Sequence, residues 1–399
     1  MRHGFTTGSC ATAAATAAAY LLVAGERKER VDVVTPKGVV FHAEILDLTI
    51  ADGEARCGVM KDGGDDPDVT TGAVVYAAVS RAKGDGPRVV VDGGEGVGRV
   101  TKPGLDQPVG AAAINSGPRK TIEAAVLDVM ERFGERGTLK VVVSIPGGEE
   151  IAAKTFNPRF GIVGGISVLG TSGVVEPMSS QALLDTIRVE LRQNRALGMT
   201  RAAVAPGNYG LDFMRETFGF DLDRAAKCSN YIGDTIDMAA ELGFTELVLC
   251  GHIGKLIKTS GGVMNTHSKE GDCRMELIAA AAIRAGMPTE GLARILDCVS
   301  TDAALEIVRE YALQDAVMNR VMEKIDYWLN RRAAGRLRVE AIVFSNVYGL
   351  LGTTPGAAAL LESIRDEIGA KTEPKPGAAN AEVDGNQEII LNGENGYER

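Results

Sequence analysis

Aromatic residues are scarce, 5% of the 399 residues with a single tryptophan, which leaves little material for a large aromatic interface. Basic charge is in the minority, 43 Lys and Arg against 53 Asp and Glu, for a formal net charge of -10. With no basic tract, the chain lacks what a nucleic-acid backbone requires of a partner, and none is expected. Six cysteines are present, yet the closest two, Cys228 and Cys250, stand 22 positions apart. That spacing excludes zinc knuckles and redox pairs and leaves reduced, mostly buried thiols of a cytosolic protein. Of the four histidines, His252 and His267 fall in the second half without a third ligand at metal spacing, so no metal is expected. Long apolar runs are missing too. Ala11–Gly25 is too short for a bilayer, and it lacks a convincing cleavage site before Glu26-Arg27-Lys28. The expectation is a cytoplasmic protein with no membrane partner.

What is abundant is glycine, 49 residues concentrated in short loops between apolar runs. The first half mixes single helices with short strands: an alanine-rich helix over Ser9–Ala24, strands over Val31–Thr35, Val39–Asp47 and Glu54–Val59, a helix over Thr71–Ala82, a strand over Arg88–Asp92, a helix over Ile122–Phe133 and a strand over Leu139–Ile145. Without regular alternation, this indicates an α+β domain. The second half alternates. Strands over Ala202–Ala205, Glu246–Cys250 and Val339–Phe344 are separated by helices over Gly233–Leu242, Gly271–Ala285, Glu290–Cys298, Asp302–Ala312 and Gln314–Arg331, the pattern of an α/β domain with a mostly parallel sheet. A helix over Ser180–Leu197 bridges the halves. The expected domains are therefore 1–197 and 198–369, with a flexible Pro/Gly/Asn/Glu-rich tail over 370–399.

The loops at strand ends carry the candidate chemistry. The run Leu247–Cys250 ends in Gly251 and leads into HIGKLIKTSGGVMNTHSK, so Lys255 and Lys258 set positive charge beside glycines against an acidic background, as for an anionic small molecule. His252 and His267 suit hydrogen bonding, proton handling or simple capping. Asn230 and Asp234 flank Gly233 at a helix start, where Asp234 would accept ribose hydroxyls or simply answer the helix dipole. Near the N-terminus, Thr6, Thr7 and Ser9 with Gly4 and Gly8 precede the alanine helix; Ser9 or Thr7 caps it, or the turn holds an anion. Lys61–Asp68 carries Asp62, Asp65, Asp66 and Asp68, either a solvated turn capping the Thr71 helix or a carboxylate cluster facing a cationic or proton-bearing ligand atom. In Gly94–Lys102 the glycine spacing is wrong for a dinucleotide fingerprint, so Arg99 and Lys102 are read as facing an anion. Phe160–Gly173 is a bulged strand or a close backbone approach to a flat ligand.

Together, GFTTGSCATAAA, KDGGDDPDVT, GVGRVTKPGL with AINSGPR, GIVGGISVLGTSGVVEPMS, SNYIGD and GHIGKLIKTSGGVMNTHSKEGDCRMEL resemble the cobalt-precorrin-5B C1-methyltransferase family of anaerobic cobalamin biosynthesis. The resemblance spans Arg2 to Thr354 and leaves the tail uncovered. It implies an α+β domain akin to the ribosomal S5 second domain joined to a Rossmann-like α/β domain. It further implies S-adenosylmethionine as methyl donor and an anionic cobalt-tetrapyrrole as substrate, the cobalt arriving with the substrate; a homo-oligomer is compatible with it. On that footing the donor site is expected at Pro206, Gly207, Asn208 and Gly210 with Asn230, Gly233, Asp234, Gly251 and Gly254. Substrate carboxylates are expected at Thr6, Thr7, Ser9, Arg99, Lys102, Arg119, Lys255, Lys258 and His267 and at the backbone of Gly164 and Gly165. Asp65, Asp66 or His252 would handle the sulfonium or a proton. The glycine-rich turns of both halves are expected to converge on one cleft. Two other readings stay open: a small-molecule kinase sharing the S5-like fold, with Gly8-Ser9-Cys10-Ala11 as a phosphate loop, and a non-catalytic corrinoid-binding protein.

Overall fold

A computed structural model of the chain describes residues 2–83, 88–177, 179–220 and 224–372. Among the described residues two large hydrophobic cores form, one from residues between Cys10 and Val168, the other from residues between Ile187 and Ile364, with a small third cluster of Val100, Ala113 and Ile162. The first is organised by helix Thr7–Ala24, in which Cys10, Ala11, Ala13, Ala14, Ala15, Ala17, Ala18 and Ala19 are all fully buried. A helix apolar on every side must be enclosed, and alanine lets neighbours come close. It packs on helix Ser116–Arg132 and on strands Glu54–Met60 and Val74–Ala82. Among the described residues it alone is long and apolar enough to cross a membrane, and 78% of that stretch is buried inside the protein.

The strands of this half form a five-stranded sheet in the order Leu46–Ala51, Glu54–Met60, Val74–Ala82, Thr138–Ser144, Val89–Gly93, antiparallel except for the last pair. Asp52 and Gly53 turn the first hairpin with φ of 50° and 78°, the left-handed pair a two-residue turn demands. The helix expected over Thr71–Ala82 is instead strand Val74–Ala82. Its buried residues, Val75, Ala77 and Val79, alternate with period two, and three β-branched valines outweigh the helix preference of the alanines. The strand expected over Val39–Asp47 is two, Val40–Glu44 and Leu46–Ala51.

In the second half the sheet order is Ala225–Lys227, Arg201–Ala205, Glu246–His252, Arg338–Ser345, Gly349–Thr353. The first four run parallel and the last is antiparallel. The outer strands Ala225–Lys227 and Gly349–Thr353 are too short and too weakly patterned to stand out in the sequence. Helix Ala357–Thr372 likewise extends past Ala370, where a tail was expected to begin; residues 373–399 lie outside the described residues. A helix forms over Ser180–Ala196, where one over Ser180–Leu197 was expected, and its buried Ile187 and Leu191 join the second core.

Candidate functional site

The four parallel strands end together at Ala205, Lys227, His252 and Ser345, and the residues that follow each strand are drawn into one neighbourhood. Pro206 and Gly207 lead straight into helix Asn208–Phe218, so Asn208, Tyr209 and Gly210 form its first turn rather than an open loop. Glycine is required here. A Cβ on Gly210 would stand 2.6 Å from the Cys250 carbonyl oxygen, and one on Gly251 would meet Leu256 at 2.9 Å and Pro206 at 3.2 Å. The Cys228 N–H donates to the Ala205 carbonyl at 2.9 Å, the Lys255 ammonium donates to the Pro206 carbonyl at 3.2 Å, and burial lowers the Lys255 pKa. On the far side, the Thr266 N–H donates to Asn230 O at 2.9 Å and the Gly233 N–H to Met264 O at 3.1 Å, so loop 262–267 lies along loop 229–233.

Strand Glu246–His252 runs directly into helix Ile253–Leu256, capped by His252, whose Nδ1 accepts the Gly254 N–H at 3.0 Å. A 3₁₀ turn over Ile257–Gly261 follows, so the glycine-lysine stretch is helical where a loop was expected. An acceptor Nδ1 fixes the neutral tautomer with the proton on Nε2, and burial lowers the His252 pKa in the same sense, against the nearby charge of Asp302. Asp302 in turn accepts the Ser345 hydroxyl at 2.7 Å. Lys258 is 3% exposed and donates to the carbonyls of Gly271 at 2.8 Å and Thr266 at 3.3 Å. Thr266 is 4% exposed, and its hydroxyl oxygen has no hydrogen-bond partner among the described residues. His267 is exposed, its Nδ1 accepting the Lys269 N–H at 3.1 Å. Asp234 sits in the first turn of helix Ile232–Glu241.

The first-half candidates are mostly engaged with their own domain. Thr6, rather than Thr7 or Ser9, caps the N-terminal helix by accepting the Ser9 N–H at 3.2 Å. The Ser9 hydroxyl donates to Gly173 O at 2.7 Å and Thr7 exchanges hydrogen bonds with the backbone of Leu169, so all three hydroxyls are buried against loop 169–173. The same bonds occupy the hydroxyl that a kinase-like phosphate loop would need. Asp65 accepts the Arg2 N–H at 2.6 Å, Asp62 pairs with the Arg2 guanidinium, and the Asp66 N–H donates to Gly63 O. Asp68 holds the Thr70 N–H at 2.8 Å and the buried Lys61 ammonium at 2.6 Å, capping a turn into the strand rather than a helix. Arg99 is paired with Asp92 at 2.8 Å, and Arg119 donates to the carbonyls of Ile114, Val91 and Ala112. Gly165 closes against Gly96, whose oxygen an added Cβ would meet at 2.2 Å, whereas Gly164 (φ 81°) has open space where its side chain would be. Locally, Gly4 lies against Gly63, Gly96 against Gly165, and Gly210 against the Cys250 carbonyl.

At the junction of the halves lies a hollow of ≈ 240 Å³ whose lining includes Lys102, Arg159, Phe160, Glu190 and Arg224. Arg159 approaches Glu190 at 3.4 Å and donates to Ala225 O at 3.2 Å, while Glu190 accepts the Lys227 N–H at 2.6 Å. This contact joins residues 31 positions apart and left no local trace in the sequence. Tyr209, 70% exposed beside Pro206, falls within the expected Pro206–Gly210 stretch, whereas the Asp302–Ser345 pair was not picked out from the sequence. Cys10, Cys57, Cys228 and Cys250 are buried thiols pushed up to about 12, which keeps them unreactive, and Cys273 and Cys298 are half-buried. Among the described residues no three His, Cys, Asp or Glu side chains gather as a metal site would need.

Comparison with known proteins adds a family. A profile described as CbiD matches residues 1–177, and one described as CbiD, C-terminal domain, matches residues 265–355. The cobalt-precorrin-5B C(1)-methyltransferase of Ruminiclostridium cellulolyticum is 45% identical over 347 residues, 87% of this chain and 90% of that protein. The protein of the same name from a Thermoanaerobacter species is 46% identical over 78% of this chain and 83% of its own. A crystal structure of a cobalamin biosynthesis protein from Archaeoglobus fulgidus is 28% identical, covering 78% of this chain and 85% of that one, with a TM-score of 0.37.

Proposed function

The chain belongs to the CbiD family, and from that we propose that it methylates C1 of cobalt-precorrin-5B with S-adenosylmethionine, giving cobalt-precorrin-6A in anaerobic cobalamin synthesis. The observation that carries the placement of the donor is the shared edge of the four parallel strands, where Gly210 and Gly251 bring backbone together too closely for any side chain. Ligands of open parallel sheets lie outside the carboxyl ends of the strands. The strand order supports reading the second half, 198–369, as a Rossmann-like domain, and the mixed sheet with its buried helix supports the S5-like reading of 1–197.

The residues at this edge suit a positively charged nucleoside. Asn230 and Asp234 offer an amide and a carboxylate for sugar and base hydroxyls and amines, and exposed Tyr209 offers a ring face. His252, whose Nδ1 accepts the Gly254 N–H, is held neutral and does not oppose a sulfonium as a cation would, while the Lys255 ammonium is engaged by the Pro206 carbonyl. Bound there, S-adenosylmethionine supplies an electrophilic methyl group whose carbon–sulfur electron pair stays on sulfur while a ring carbon supplies the new bond. What remains for the protein is alignment and exclusion of water. Because Nδ1 of His252 accepts from Gly254, its Nε2–H is a donor, so His252 steadies an oxygen or nitrogen rather than abstracting a proton. Glycine-lined backbone and scattered cations suit a flat polyacid. The test is incubation with methyl-labelled S-adenosylmethionine and cobalt-precorrin-5B. Label is expected in the macrocycle; consumption of neither substrate by folded protein would overturn the proposal.

A further inference from the structure

We infer that the hollow between the halves is the subsite for one carboxylate arm of the macrocycle, with Lys102, Arg159 and Arg224 as its cations; this rests on the methyltransferase reading above. Three cations face one carboxyl, Glu190, in a chain that is otherwise acidic. Glu190 is 8% exposed and already satisfied by Arg159 and the Lys227 N–H, so the excess positive charge is left for a visitor. At ≈ 240 Å³ the space suits an acetate or propionate arm with water, not a whole tetrapyrrole. Position supports the assignment. The hollow borders Ala225, and the same strand leads three residues on to Cys228 at the proposed donor site, about 10 Å at roughly 3.3 Å per residue. That span is on the scale of a tetrapyrrole ring, so an arm anchored here would leave the ring over the strand ends. The glycine loops 94–102 and 160–165 reach the same hollow through Lys102 and Phe160, giving those loops a place in the site. Lys102 lies along Gly161, where any Cβ would strike its stem at 2.5 Å, and its ammonium is fixed by the Arg159 carbonyl at 3.0 Å.

The experiment titrates the full chain with cobyrinic acid and, separately, with its heptamethyl ester by absorbance, and with S-adenosylhomocysteine by calorimetry, at pH 8. Arg224→Ala and Lys102→Ala are each expected to weaken binding of the acid about tenfold, the scale of one charge-assisted hydrogen bond. The same variants should leave the ester and the nucleoside at wild-type affinity. Glu190→Gln keeps an oxygen for the Lys227 N–H but removes the competing charge, and should tighten binding of the acid, an increase that general damage to the fold cannot produce. Unchanged acid binding in all three variants, with the wild type binding both ligands, would overturn the subsite and leave the function standing. A wild type that binds neither ligand would overturn both.

Discussion

Nδ1 of His252 accepts the backbone N–H of Gly254 at 3.0 Å, and this bond both starts a helix at the end of the central strand and keeps the imidazole neutral. Burial lowers the His252 pKa below its ordinary 6.5. The unfolded chain therefore binds the proton more readily, and the contribution of His252 to stability is complete above pH 6.5 and is lost as pH falls through the lower folded value. The urea midpoint should drop between pH 7.5 and 5.5. His252→Asn, which retains a capping acceptor but does not titrate, should drop less. An equal drop in both proteins would contradict the role of His252.

Gly210→Ala places a methyl 2.6 Å from the Cys250 oxygen and 2.9 Å from the Ala205 side chain, so helix Asn208–Phe218 must lift off the sheet. A loss of about 1–3 kcal/mol is expected from such overpacking, measured by chemical denaturation, together with weakened S-adenosylhomocysteine binding by calorimetry. Gly207→Ala meets nothing within 4 Å and serves as the control, expected near wild-type stability.

The ends of two of the parallel strands were legible in the sequence because the apolar runs Ala202–Ala205 and Leu247–Cys250 are followed by Pro206-Gly207 and Gly251, whereas strand Ala225–Lys227 was not. Sequence reasoning failed where meaning depends on distant partners. Nothing local in Thr6, Thr7 and Ser9 reveals that loop 169–173 will close over their hydroxyls, and Arg119 reads as an anion donor until three carbonyls surround it. Val74–Ala82 reads as a helix through its alanines, and only the facing alanine helix explains why small residues belong in that strand. The Arg159–Glu190 contact is a product of folding alone.

Asp68 balances the ammonium of Lys61, which is 3% exposed. Asp68→Ala strands a buried charge and should destabilise by about 3–5 kcal/mol, read from urea denaturation. Adding Lys61→Met to that variant should recover most of the loss. A double variant no more stable than the single one would show that the pair is not what holds the turn.

The Thr266 hydroxyl is buried without a partner among the described residues. Thr266→Val preserves shape and removes the unsatisfied oxygen, so the free protein should be as stable or slightly more stable. If the hydroxyl meets the donor ligand, as its place beside Asn230 suggests, nucleoside affinity should fall at the same time. Destabilisation of the free protein would mean the hydroxyl is satisfied.

A crystal structure of the protein with S-adenosylhomocysteine bound examines the donor site most directly. Its nucleoside is expected across the strand ends, over Pro206–Gly210 and Asn230–Gly233, with the sulfur toward His252 and Lys255. Well-ordered density for it among the first-half loops, around Thr6–Ser9 or Gly94–Lys102, with the strand ends vacant, would contradict that assignment.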